Sequence, residues 1–286
     1  MSDCNHQCSS CSTSSGCQEK EQNERVINNT KGVRSVIGVV GGKGGVGKTT
    51  SCVNLCAALA KRNRKVLLAD CDPQGNSTSG LGIDKEAVQY SVYDVLINGV
   101  DPKEAIEHSV VEGLDMLTAR KELSGAEVEL VNAMARETVL KRELDTIRDS
   151  YDYIFIDCPP SLGLLTINAL TAADTLLAPI QCEYFALEGL SDLMNTVKLV
   201  KQRLNTDLQV EGVVLTMFDA RTNLSGQVVN EVKKFFKNKV YDTIIPRSVR
   251  LSEAPSFGLP ITLYDPRCSG ARAYKALANE LIGKEN

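Results

Sequence analysis

The chain has no apolar run approaching the roughly 20 residues needed to cross a bilayer, so no integral membrane helix is expected. Its first residues are polar and rich in Ser and Cys, and they lack the apolar stretch of a secretory signal. A basic excess is missing too. The formal net charge of −4 over 286 residues argues against a generally basic nucleic-acid binder. There is no internal repeat and no sign of a second folded domain, and the length suffices for one α/β domain with a substantial core. No Cys-x-x-Cys pair follows Cys17. Cys52, Cys56, Cys71, Cys158, Cys182 and Cys268 stand singly, without ligand-like spacing, as reduced and buried thiols would.

What is present is unevenly placed. From Lys198 to Lys275 there are 13 Lys and Arg against 7 Asp and Glu, so the acidic surplus lies elsewhere and a localised anionic partner is permitted. Residues 1–31 are dominated by Ser, Asn, Gln, Glu and Lys and read as a disordered tail. Beyond it, residues 32–286 alternate short apolar runs with amphipathic stretches. The runs are Val36–Val40, Val66–Ala69, Leu114–Leu117, Tyr153–Ile156, Thr175–Ile180, Val210–Leu215 and Tyr241–Ile245. Helices are expected over Thr49–Lys61, Glu137–Ser150 and Leu187–Leu204, the last presenting Leu190, Leu193, Val197, Val200 and Leu204 to a sheet. The residues from Ala276 onward read as a final helix packed on that sheet. Together these imply an α/β fold with a mainly parallel, twisted sheet covered by helices on both faces. In such folds ligands bind beyond the carboxyl ends of the strands.

The chemistry is concentrated in those loops. Gly42-Lys43-Gly44-Gly45-Val46-Gly47-Lys48-Thr49 fits the phosphate-loop pattern G-x-x-x-x-G-K-[ST], with an apolar strand before it and a helix after it. Backbone N–H groups of Gly44, Gly45, Val46, Gly47, Lys48, Thr49 and Thr50 would cradle phosphates, helped by the positive end of the helix dipole. Lys48 would reach the outer phosphates and the Thr49 hydroxyl would ligate Mg²⁺. The second run ends in Asp70-Cys71-Asp72-Pro73-Gln74-Gly75, two carboxylates at a strand end ahead of a Pro/Gly turn. The fourth ends in Asp157-Cys158-Pro159-Pro160, a carboxylate placed to hold Mg²⁺ followed by a stiff turn.

The additional lysine at position 43 resembles the deviant Walker A loop of the ParA/MinD/Mrp ATPases, within the P-loop NTPases. That resemblance implies that Lys43 crosses to the nucleotide of a partner subunit in an ATP-dependent homodimer. It also implies that Asp72 orients the attacking water with support from Asp70, and that Asp157 is the Walker B carboxylate opposite Thr49. Further segments extend the similarity to most of the folded part and to the chromosomal, Soj-type branch of the ParA family. They are Pro179–Leu190, Leu215–Asn223, Ile245–Pro255 and Leu263–Gly270. By this likeness Pro246 and Ser248 border the adenine, although the branch more often carries Asn at the latter position. Arg221 and Arg250 match arginines that grip double-stranded DNA without sequence preference. The implied protein is a cytoplasmic, nucleoid-associated ATPase, slow until stimulated by a ParB/Spo0J-like partner, acting in chromosome or plasmid segregation.

One segment departs from that pattern. Cys4, Cys8, Cys11 and Cys17 resemble the cluster-binding tails of Mrp-type iron–sulfur carriers, and close thiolates suit zinc or an iron–sulfur cluster. A carrier is therefore the alternative function. Against it stand the missing late Cys-x-x-Cys pair and the Pro159-Pro160-Ser161 turn, where carriers have Pro-Pro-Gly-Thr. A MinD-like membrane role is weaker, because the C-terminal residues lack a bulky amphipathic face.

Overall fold

The computed structural model describes residues 35–183 and 186–284. Contacts divide the chain into Met1–Gly32 and Val33–Asn286, and all of the described residues belong to the second unit. Strand β1 (Ser35–Val39) leads through the glycine loop into α1 (Lys48–Ala60). β2 (Val66–Asp70) and the one-turn helix α2 (Asn76–Gly80) follow. Then come β3 (Ile106–His108), β4 (Leu114–Leu117), α3 (Leu123–Glu129), α4 (Val139–Asp145) and β5 (Tyr153–Asp157). The chain continues through α5 (Leu164–Ala172), β6 (Thr175–Gln181), α6 (Ala186–Arg203), β7 (Gln209–Thr216) and α7 (Asn223–Phe236). It closes with α8 (Val249–Glu253), α9 (Ile261–Tyr264) and α10 (Ser269–Gly283).

The strands form one seven-stranded sheet in the order β3-β4-β2-β5-β1-β6-β7, with only the β3–β4 pair antiparallel. Alternation along each strand feeds two cores. Val36, Leu67, Ala69, Ile154 and Ile156 pack on one face, while Ile37, Val39, Val66, Leu68, Tyr153 and Phe155 pack on the other. Burial on both sides is why these strands read as unbroken apolar runs rather than alternating ones. Helix α1 is buried almost all round, caught between the sheet and α10, whose Leu277 and Leu281 are buried as expected of a final packed helix. On α6, Leu190, Leu193, Val197 and Val200 are buried, but Leu204 lies past the helix end and is 39% exposed.

Two expectations about elements are corrected, and one strand is added. Tyr241–Ile245 is not a strand. Tyr241 and Ile245 do donate to the Val213 and Leu215 carbonyls of β7 at 2.9 and 2.8 Å. Between them, however, the amides of Asp242 and Thr243 donate to the Glu280 carboxylate of α10 at 2.7 and 3.0 Å, which interrupts the ladder. The stretch expected as helix over Glu137–Ser150 narrows to α4 and a separate 3-10 turn at Arg148–Ser150. The edge strand β3, only Ile-Glu-His, carries no apolar run and gave no signal.

Candidate active site

Five adjacent strands, β2-β5-β1-β6-β7, end on the same edge of the sheet, and the loops leaving them build one site. After β1 the glycine loop turns through left-handed φ values of 78° at Gly45 and 85° at Gly47, and Gly47 is the N-cap of α1. The loop is held from two sides. The Thr216 hydroxyl at the end of β7 donates to the Val46 carbonyl at 2.8 Å. At the other lip, Gly42 meets Gly189 of α6 so closely that a Cβ on Gly42 would sit 1.6 Å from the Gly189 carbonyl oxygen. Neither Thr216 nor Gly189 was singled out from sequence. Lys48, only 7% exposed, turns its ammonium toward the Lys43 carbonyl at 3.4 Å. Lys43 and Gly44 border a cavity of about 690 Å³ that runs on past Cys182, Met217 and Arg247.

The carboxylates meet where β2 and β5 run side by side, with Asp70 in register with Asp157. Both are fully buried. Asp70 Oδ2 accepts from the Thr78 amide and hydroxyl at 2.9 and 2.8 Å, and its Oδ1 accepts from the Asp72 amide at 3.2 Å. Asp157 Oδ2 accepts from the Ser77 hydroxyl at 2.7 Å, and the Thr49 hydroxyl leans on the same carboxylate. Burial is the largest cause raising both carboxyls above the ordinary carboxylate range. For Asp70 the charge of Asp157 adds to it, and for Asp157 the Ser77 and Thr49 hydroxyls oppose it. Asp157 Oδ1 is buried without a hydrogen-bond partner. An orphaned carboxylate oxygen beside a threonine hydroxyl, both hard donors, fits Mg²⁺. Asp72 is buried too, 7% exposed, its Oδ1 accepting from the Gln74 amide at 3.0 Å. Pro160 approaches the loop as well, 3.8 Å from where a Gly44 Cβ would stand.

The raised carboxyls carry a pH signature. A group that holds its proton more tightly when folded favours the fold at low pH. That contribution disappears as pH rises from the unfolded value through the raised one. Asp157→Asn keeps an acceptor for Ser77 and removes the charge. It is expected to raise the neutral-pH melting temperature of the nucleotide-free protein, by about 1–2 kcal/mol or about 3–6 °C. Thermal melts from pH 4 to pH 8 check this, and a lower melting temperature for the variant would refute it.

A second cavity, about 290 Å³, opens on the other side of Gly47 and is lined by Thr50, Met217, Pro246, Ser248, Ser252 and Tyr274, among others. Pro246 and Ser248 are thus brought to the phosphate loop. Arg247 borders both cavities and donates to Glu183 at 2.8 Å. Ser252, Tyr274 and Arg247 were not foreseen; Tyr274 arrives because α10 packs on α1, its hydroxyl 3.3 Å from that of Ser51.

Comparison with known proteins agrees with this geometry. A family profile described as an AAA domain matches residues 34–210. The sporulation initiation inhibitor protein Soj of Bacillus subtilis is 60% identical over 246 residues, which is 86% of this chain and 97% of that protein. The chain belongs to the ParA/Soj family of ATPases. Another ParA relative, the chromosome partitioning protein of Myxococcus xanthus, is 52% identical over 88% of this chain and 89% of its own length. Among solved structures, a cobyrinic acid a,c-diamide synthase from Mycobacterium smegmatis with bound ATP analogue and magnesium superposes with a TM-score of 0.77. It is 38% identical and covers 87% of this chain and 95% of its own. MinD from Pyrococcus horikoshii with Mg-ADP gives 0.73 at 27% identity, over 88% of this chain and 98% of its own.

In this ParA/Soj-family chain the two expected DNA-contacting arginines follow β7 in sequence, Arg221 in the turn before α7 and Arg250 in α8. Arg221, 85% exposed, donates to both oxygens of Asp219 at 2.9 and 2.7 Å, and this pairing holds the Asp219 carboxyl far below its usual range. Arg250 donates to Glu253 at 3.0 Å and lies 3.6 Å from Asp265. Cys4, Cys8, Cys11 and Cys17 lie outside the described residues. The iron–sulfur carrier alternative gains no support from these relatives, none of which is named as a carrier. Among the described residues no helix is long and apolar enough to cross a membrane.

Proposed function

We propose that the protein is an ATP-driven partition switch. The observation that carries this reading is the meeting, on one sheet edge, of the Lys48 loop with the paired ends of β2 and β5, Asp70–Asp72 and Asp157. ATP would lie along the loop with its base in the Pro246–Ser248 cavity. Lys48 and the loop amides would hold the outer phosphates, and Thr49 and Asp157 would hold Mg²⁺, which supplies charge neutralisation when bound. Asp72 would align the attacking water, and Asp70, fixed by Thr78, would support the turn. Lys43 would reach the phosphates bound by a second copy, so that hydrolysis waits for dimerisation. The homodimer would bind double-stranded DNA without sequence preference and release it after hydrolysis, when stimulated by a ParB/Spo0J-like partner. This assigns the protein to chromosome or plasmid segregation, in the cytoplasm and on the nucleoid.

Arg221 and Arg250 suit phosphate contacts even though both are paired. Exposed ion pairs contribute little, so exchanging a carboxylate for a phosphate costs little. Four such contacts per dimer predict a slope of about −3.6 in log affinity against log salt. The test is DNA retention with ATP, with ADP and without nucleotide across a salt series. Retention is expected with ATP alone and is expected to be lost in Arg221→Glu/Arg250→Glu. Equal retention in all three nucleotide states would sink the switch, and full retention by the double variant would sink the arginine assignment.

A further inference from the structure

We propose that Lys85 is a positioning residue for hydrolysis, its ammonium latching the turn that aims Asp72. The inference rests on the reading of Asp72 as the water-orienting group. Gln74, two residues after Asp72, is gripped at both of its main-chain groups. Its N–H donates to Asp72 Oδ1 at 3.0 Å, and its carbonyl accepts from Lys85 Nζ at 2.6 Å. The turn is closed by the Gly75 amide donating to the Asp72 carbonyl at 2.8 Å. Gly75 is left-handed, with φ 59°, and a Cβ there would stand 2.8 Å from Lys85 Cε and 3.0 Å from the Ala119 carbonyl. The lysine stem therefore lies directly against the turn's α-carbon. No β-carbon intervenes between the two.

The two aspartates of this segment are thus held by different means. Asp70 is held from within by Thr78, in a buried arrangement. Asp72 is held from outside, through Gln74, by a half-buried lysine. The outer side is open: Pro73, Gln74, Lys85, Arg120, Lys121 and Glu122 are among the residues lining a cavity of about 270 Å³. A charge-assisted hydrogen bond beside solvent is strong enough to restrict a turn and too weak to decide whether the domain folds. Without it the Asp72 carboxylate would spend less time in the geometry that lines up water with the γ-phosphate. The chemical step would suffer while ground-state binding would not.

The test uses the full chain in four forms besides wild type: Lys85→Met, Lys85→Arg, Asp72→Ala and the Lys85→Met/Asp72→Ala double variant. Steady-state kcat and KM, the Kd of a non-hydrolysable ATP analogue and the melting temperature are measured for each. Lys85→Met is expected to lower kcat about tenfold, with KM and Kd changed by less than about twofold. Lys85→Arg should recover most of the rate, and Lys85→Met should subtract nothing further from Asp72→Ala. An unchanged kcat in Lys85→Met overturns the proposal. So does a parallel fall in Kd-derived affinity and melting temperature that arginine does not restore, since that would mark a purely structural lysine. If Asp72→Ala itself keeps wild-type turnover, the water-orienting reading fails first, and that failure is separable from the other two.

Discussion

Lys48→Ala is expected to abolish ATP binding while leaving the fold intact. Lys48 sits at the first position of α1 and is nearly buried, and among the described residues its ammonium donates to the Lys43 carbonyl, at 3.4 Å. Truncating it removes a charge that burial disfavours and breaks one long hydrogen bond, so stability should change little. The loss for the ligand is much larger. Two charge-assisted contacts to phosphate oxygens are worth about 3–5 kcal/mol together, or about 10²–10⁴-fold in Kd. Calorimetric titration with a non-hydrolysable ATP analogue, alongside a thermal melt, reads both effects. An affinity within tenfold of wild type would remove Lys48 from the phosphate site.

Asp72→Ala should separate binding from turnover. Its carboxylate is oriented by the Gln74 amide and is 7% exposed, whereas Asp70 and Asp157 are fully buried. Removing a group that aligns water lowers kcat by about 10²–10⁴-fold. Nucleotide affinity should stay within a few-fold, because no phosphate or magnesium contact is assigned to Asp72. On the proposed switch, DNA should then be retained after ATP is withdrawn from solution, since hydrolysis would no longer reset the dimer. Rapid DNA release by the variant, at the wild-type rate, would contradict the reset role.

Much of this arrangement was legible in the residues. β1, β2 and β5 announced themselves because burial on both faces demands unbroken apolar runs, and the glycine loop and the aspartates follow them directly. Tyr241–Ile245 misled for a physical reason. Its ends, Tyr241 and Ile245, are buried as strand residues would be, but Glu280 takes the Asp242 and Thr243 amides between them. β3 was missed because a three-residue antiparallel edge needs no apolar pattern. Within the site, Lys48, Thr49, Asp72 and Asp157 carry local signatures. Thr216, Gly189, Arg247, Ser252, Tyr274 and Lys85 do not. Thr216 reaches the loop across 170 positions, to Val46, while Lys85 reaches Gln74 across only 11 but outside any motif.

The bare main-chain meeting of Gly42 and Gly189 makes α6 a lever arm. With no side chain between them to cushion a displacement, any adjustment of the loop to a triphosphate must push on the helix's first turn. Over 18 residues, at about 1.5 Å of rise each, a small tilt at that end is magnified at the far one. A fluorophore attached at Lys201, near the distal tip, would then report occupancy of the nucleotide site without touching it.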